Sequence, residues 1–248
     1  MSKTNNPLAS FHEEALHDVD YTFAEAVQEA KRCLNCKVPQ CRKGCPIHNE
    51  IPQFIQALKE GNLGQAAEYI YHQSDLPAIC GRVCPREKQC EGACVLGKKG
   101  QHMEIGKLER FVADMAMNSG FLPLHVSKKT SGSVALIGSG PASIAAAREL
   151  ALRDYDVTIF EASSHAGGTT TYGIPTFRLH KEIVWREADM LEKMGVAIQY
   201  HIKIGTDKTI DELQQQFDAV FIGVGTMDAW SLGVANDTVE GVVNAEQF

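Results

Sequence analysis

Residues 133–161 read SVALIGSGPASIAAARELALRDYDVTIFE, and their texture decides the fold of the second half of the chain. Ser133 to Ile137 is a short apolar run; Gly138-Ser139-Gly140-Pro141 follows at once, then a helical pattern from Ala142 to Leu152 and a second β-like run from Val157 to Phe160. This is a βαβ unit with a glycine-rich turn between its first strand and its helix. In that setting Gly138 permits a tight turn, and Gly140 lets backbone N–H groups approach a pyrophosphate at the positive end of the helix. The third fingerprint position is Ser143, not glycine, so close helix–strand packing must tolerate a hydroxymethyl group. Glu161 ends the second strand, 23 residues after Gly138, where an acidic side chain binds ribose hydroxyls and disfavours a 2′-phosphate.

Working outward, residues 182–194 read as helix, 196–200 as strand, 210–215 as helix and 219–222 as strand. Residues 126–132, within the stretch NSGFLPLHVSKKTSG, have no periodicity and form the expected linker. Ahead of it, residues 1–125 read as an all-helical module with cysteine-bearing loops. Phe23, Ala26, Val27 and Ala30 share one helical face behind Thr22 as N-cap, with Glu25 three residues on. Two short amphipathic helices are expected around Gly61 to Gly64, and Ile105, Leu108, Phe111, Val112 and Met115 mark another. The expected fold is therefore α plus α/β, a helical domain followed by an incomplete Rossmann-like domain over 133–248.

Composition agrees with two modules. The 248 residues are 44% hydrophobic, and the net charge is −7 from 24 basic and 31 acidic side chains, the opposite of the usual balance for nucleic-acid binding. Residues 1–130 carry 16 basic and 15 acidic side chains, whereas 131–248 carry 8 and 16. The start, MSKTNNPLASFHEE, has no apolar core of signal-peptide length and no uncharged apolar run reaches 18 residues, so no membrane partner and a cytoplasmic setting are expected. His12 and His17 are expected to face solvent. No HExxH, GxSxG or kinase-type motif supports hydrolase or phosphotransferase chemistry.

All eight cysteines lie between Cys33 and Cys94. The first group is Cys33-x2-Cys36-x4-Cys41-x3-Cys45-Pro46, and the second is Cys80-x3-Cys84-Pro85-x4-Cys90-x3-Cys94. In a reducing compartment such spacing points to metal or redox chemistry, not disulfides. Four thiolates within thirteen residues do not easily converge on one metal, but they can if the last crosses to a neighbouring cluster, as in two-cluster ferredoxins with their trailing Cys-Pro. Iron–sulfur clusters require soft thiolate donors. Structural zinc, the competing reading, would leave the tight first group unexplained. Lys37, Arg42, Lys43, Arg82, Arg86 and Lys88 interleave with the thiols and suit a negatively charged core, or are ordinary solvated loop charges.

The order CxxCxxxxCxxxCP, CxxxCPxxxxCxxxC and IGKLERF resembles the iron–sulfur domain of dihydropyrimidine dehydrogenase and of the small subunit of NADPH-dependent glutamate synthase, from about residue 20 onward. The resemblance implies one 4Fe4S cluster on Cys33, Cys36, Cys41 and Cys94, and another on Cys45, Cys84, Cys90 and a non-cysteine ligand that aligns with Glu109, with Cys80 spare. Spacing alone would choose Cys80 and leave Glu109 a surface carboxylate. Gly167-Gly168 and the run YGIPTFRL, residues 172–179, resemble the family's flavin segment. By that resemblance the fingerprint serves FAD, held by Val83, Gly138, Ser139, Gly140, Pro141, Ala142, Glu161, Gly167, Gly168, Thr169, Arg178 and Gly225. No second fingerprint follows Gly225, so the family's NAD(P)H site is expected on a partner subunit or a further domain. The implied activity is electron transfer between FAD and two clusters, toward a glutamate synthase large subunit or a dihydropyrimidine dehydrogenase catalytic subunit. The alternative is a non-catalytic interaction module stapled by zinc or a single cluster.

Overall fold

The computed structural model describes residues 21–120, 125–226, 233–235 and 239–243. His12, His17 and the stretch read for a leader lie outside the described residues. Two compact units emerge, Met1–Leu124 with Thr176–Glu187, and His125–Pro175 with Ala188–Phe248. Residues 176–187, expected in the second domain, thus pack with the helical one. The physical reason is polar as well as apolar: Glu187 accepts the Ala78 N–H at 2.7 Å, and Arg186 donates to Asn118 at 2.8 Å.

In the first unit, α1 (Phe23–Lys31) begins with the capping box the sequence implies, Thr22 accepting the Glu25 N–H at 3.3 Å while Glu25 accepts the Thr22 N–H at 2.8 Å. Then come α2 (Gln40–Gly44), α3 (Ile51–Lys59), α4 (Leu63–Tyr71), α5 (Pro77–Val83) and α6 (Ile105–Ser119), which Gly120 ends in the left-handed region at φ 67°. Phe54, Ile55, Leu58, Ile70, Ile105 and Leu108 form the buried core, each worth roughly 1.5–3 kcal/mol against exposure. Cys41 and Cys80, expected on loops, sit on α2 and α5. Those helices are too short for an apolar period to show, and only Pro39 and Pro77 at their starts hinted at them.

The second unit holds β1 (Ser133–Ile137), α7 (Pro141–Leu152), β2 (Asp156–Phe160), α8 (Thr169–Tyr172), β3 (Ala197–Gln199), α10 (Ile210–Gln216) and β4 (Ala219–Ile222). Helix α9 (Lys181–Lys193) passes from the first unit into the second. The sheet is wholly parallel, in the order β3-β2-β1-β4. Strand β1 is central and its last four residues are buried, as the apolar run implied. Strand order reverses at β1, so the crevice for a ligand lies at the carboxyl ends of β1 and β4, where Gly138 and Gly223 stand. The stretch read as linker is tied to this unit, Ser127 donating to Met194 O at 3.0 Å and Lys128 N–H to Asp154 at 2.8 Å. Among the described residues no helix is long and apolar enough to cross a membrane.

The serine at the third fingerprint position has a partner that accommodates it. Ser143 is fully buried, and a Cβ placed on Gly223 would lie 2.0 Å from its Oγ. The space that a fingerprint glycine normally leaves on the helix is left here by Gly223, directly after β4. Gly223→Ala should lower the thermal midpoint by roughly 5–10 °C, as about 2–3 kcal/mol of overpacking implies. Adding Ser143→Gly should recover more than half of that loss in circular-dichroism melts; additive losses would refute the pairing.

Glu187 yields a second expectation. Burial pushes its carboxyl up from 4.5 to about 8, against the opposing pull of the Ala78 and Ile79 N–H groups and Arg82, and with Glu109 adding to the rise. The folded carboxyl therefore keeps a proton that the unfolded chain sheds near 4.5, so this group's stabilisation falls as pH rises from there to about 8. Glu187→Gln should flatten the decline in thermal midpoint between pH 5.5 and 8; parallel profiles for the two proteins would contradict this.

Candidate functional site

Within the first unit, glycines bring the cysteine segments together. A Cβ on Gly44 would lie 2.8 Å from Gln89 O and from Ala93 Cβ, so the end of the first cysteine group rests directly on the second. A Cβ on Gly81 would lie 2.7 Å from Arg110 N, which sets α5 against the backbone of α6 beside Glu109. The turn after Cys84 is gathered on one acceptor: the Arg86 carbonyl accepts the N–H groups of Gln89, Glu91 and Gly92 at 3.0, 3.0 and 3.1 Å. Glu91, also buried, accepts the Gly106 N–H at 2.9 Å and ties this turn to the start of α6.

This packing sorts the thiols. Cys33, Cys36, Cys41 and Cys94 line one small cavity, closed by Leu34, Ile51, Ile55, Met103 and Ile105. Burial raises the Cys33 thiol, with Cys36 and Cys94 adding to it, and pushes Cys41 up to about 11, with Cys33, Cys94 and Cys36 adding there. A second neighbourhood contains Cys45, Cys84, Cys90 and Glu109. Cys90 is pushed up to about 12 by burial and then by Glu109, Glu91 and Cys45. Glu109 is pushed up to about 8 by burial and by Cys84, while Arg86 and a hydrogen bond from Asn49 Nδ2 at 3.2 Å oppose the rise. Cys80 joins this group through a hydrogen bond with Cys84, which raises Cys80 and lowers Cys84 to about 7. Among the described residues, no three His, Cys, Asp or Glu side chains close on a single metal ion. The sulfurs of Cys33, Cys36, Cys41 and Cys94 surround a space, as ligands of a multi-atom cluster must.

Several contributors carried no signal of their own in the sequence. Asn49 is buried and holds Glu109; its Oδ1 also accepts the Glu50 N–H at 2.8 Å. Gly44, Gly81 and Gly106 act through absent side chains, the last because a Cβ would strike the Arg86 side chain at 1.9 Å. Of the interleaved cations, Arg82 is committed to Asp114 in a two-bond pair of 2.9 and 2.7 Å, and Arg42 donates to His48 O at 3.1 Å.

In the second unit the fingerprint loop meets two other turns. A Cβ on Gly138, whose φ is 86°, would lie 2.7 Å from Gly223 O, and one on Gly168, φ 50°, would lie 2.9 Å from Gly140 Cα. Gly167 N–H donates to Ser139 O at 2.9 Å. Helix α7 starts at Pro141 without a side-chain cap, so the first-turn N–H groups at Ala142 and Ser143 are presented toward the loop. Thr169 opens α8 immediately after the double glycine. Glu161 is buried and braces the loop, Oε2 accepting Ser139 N–H at 2.8 Å and Oγ–H at 2.5 Å, while Oε1 accepts Ser163 N–H at 2.7 Å. Gly225, φ 68°, meets nothing within 4 Å on its Cβ side; Gly223 makes the close approach instead. Val83 and Arg178 belong to the first unit, Val83 ending α5 and Arg178 lining a cavity of about 500 Å³ with Arg82, Arg86, Lys107, Arg110 and Arg186. The bare backbone at the crevice and the helix terminus without a side-chain cap fit a dinucleotide diphosphate, and the two thiol groups fit iron–sulfur clusters.

Comparison with known proteins agrees. Residues 10–121 match the family described as dihydropyrimidine dehydrogenase domain II, 4Fe-4S cluster, and residues 136–183 match an NAD(P)-binding Rossmann-like domain. The chain is 37% identical over 229 residues to the glutamate synthase [NADPH] small chain of Escherichia coli, covering 92% of this chain and 48% of that protein. It is 38% identical over 205 residues to the NAD-dependent dihydropyrimidine dehydrogenase subunit PreT of Escherichia coli, covering 83% and 50%. The small chain of Azospirillum brasilense glutamate synthase is 34% identical over 231 residues, covering 92% and 48%. The chain thus spans about half the length of the curated relatives it matches. With an iron–sulfur segment followed by a Rossmann-like segment, it is similar over 83–92% of its own length to the glutamate synthase small chain and the dihydropyrimidine dehydrogenase subunit.

Proposed function

We propose that this chain is the electron-transfer portion of an NAD(P)H-dependent oxidoreductase, holding two 4Fe4S clusters and FAD. The observation that carries the reading is the sorting of the cysteines, four around one cavity, and Cys84 and Cys90 beside Glu109 with Cys45 next to Cys90. Cys33, Cys36, Cys41 and Cys94 hold one cluster; Cys45, Cys84, Cys90 and Glu109 hold the other. Each set takes the last cysteine of the opposite sequence group, Cys94 in the first and Cys45 in the second, the crossing that lets a tight Cys spacing serve two centres. When bound, FAD would supply the acceptor for a hydride, which carries two electrons, and the clusters would supply single-electron carriers.

The chain's own residues bind and orient. Apolar Leu34, Ile51, Ile55 and Met103 keep water from the first cluster cavity, and Asn49 aims Glu109. Gly138, Ser139, Gly140, Pro141, Ala142, Gly167, Gly168 and Thr169 receive the FAD diphosphate, and Glu161 holds the loop in shape while offering its remaining lone pairs to ribose hydroxyls. Val83, Arg178 and Gly225 are assigned to the flavin by family likeness. Residues 1–125 are proposed as the cluster domain, 126–132 as the linker and 133–248 as the flavin domain, except that residues 176–187 pack with the helical unit. The hydride donor's site and the final acceptor are proposed to lie on other parts of the assembly, a glutamate synthase large subunit or a pyrimidine-reducing subunit. A cytoplasmic setting follows from the need to keep the thiols reduced.

Purified without oxygen, the chain should be brown and contain about eight irons, the content of two four-iron clusters. Cys94→Ser and Cys90→Ser should each lose about half of that iron. The pair Cys33→Ser/Cys94→Ser should lose no more than Cys94→Ser alone, whereas Cys90→Ser/Cys94→Ser should lose nearly all. A colourless chain containing zinc would establish the stapled-module reading instead.

A further inference from the structure

Cys80 is the cysteine that neither ligand set uses, yet it is placed against one of them. It lies on α5 one helical turn before Cys84, and its carbonyl accepts the Cys84 N–H at 3.2 Å, so the two residues stay in helical register and share a face. Cys84 then leaves the helix, with ψ 139°, and Pro85 turns the chain away. That geometry keeps the two thiols in hydrogen-bond contact while the Cys84 sulfur lies beside Glu109. The position is held from behind, since Gly81, the next residue, is in backbone contact with Arg110 on α6.

We propose that Cys80 is a positioning residue whose S–H donates to the Cys84 sulfur and so raises the reduction potential of the cluster that Cys84 holds. The inference rests on the two-cluster reading above. An electron added to a cluster is shared with its sulfur ligands, and a donor to one of those sulfurs stabilises the more negative, reduced form. A ligand role for Cys80 would need a fifth donor at a site that Cys45, Cys84, Cys90 and Glu109 already complete. The thiol therefore tunes the centre without binding iron.

The test uses the whole anaerobically reconstituted chain. Cys80→Ala should keep the wild-type iron content but show one cluster reduced about tenfold less at a given potential, equivalent to about 59 mV for a one-electron couple, with the other cluster unmoved in an EPR-monitored titration. Cys80→Ser, whose hydroxyl can donate, should move back toward wild type, and Cys80→Val, which fills the space without a donor, should follow alanine. Unchanged potentials in the alanine and valine variants overturn the proposal. Loss of about four irons in both also overturns it, by making Cys80 a ligand. A wild-type chain that takes up no iron fails the two-cluster reading itself, and that result is visible before any variant is compared.

Discussion

The helical unit depends on the contact between α5 and α6 at Gly81, where a single Cβ would drive into the Arg110 backbone at 2.7 Å. Only backbone against backbone brings the end of α5 close enough for Cys84 to act on Glu109. Gly44 and Gly106 repeat the device at the two other joints, one against Gln89 and Ala93, the other under Arg86. Segments separated by some sixty residues, around Cys45, Cys90 and Glu109, converge because side chains are missing where they meet. Close-packed interiors do not yield easily, so larger residues at these joints would displace the donors themselves.

Polar groups then fix what the glycines admit. Glu91, Glu187 and Asn49 are buried, and each spends its hydrogen bonds on backbone or on Glu109 and not on solvent. An unpaired buried carboxylate would be costly, and these residues act as structural ties between elements distant in sequence, although Glu187 bonds through Oε1 and its Oε2 stays buried without a hydrogen-bond partner. The same logic separates the cations around the thiols. Arg82 is neutralised by Asp114, whereas Arg86 is the positive group that acts on both Cys84 and Glu109.

The nucleotide unit shows a related exchange. The fingerprint tolerates Ser143 because Gly223, just past the end of β4 and some eighty residues later, yields the space. Three glycine turns, at 138–140, 167–168 and 223, meet at the carboxyl edge of a parallel sheet, the place where a diphosphate can approach backbone N–H groups. The loop is already braced by Glu161 before any ligand is considered, which lowers the ordering cost of binding.

Amino-acid order alone determined much of the local structure. The Thr22 to Glu25 cap, the amphipathic faces of α1, α3, α4 and α6, and the βαβ unit are encoded within a few residues, by periodicity and turn chemistry. It also displayed the thiol spacing and the glycine fingerprint. Helices α2 and α5 were illegible because a helix of five or seven residues is too short to show its period. Which thiol stands with which, the placement of residues 176–187, the duty of Asn49, and the substitution of Gly223 for a fingerprint glycine were decided only by tertiary structure. Those features arise between segments far apart in the chain, through empty space at glycines and bonds to buried carboxylates, and neither leaves a periodic mark on the sequence.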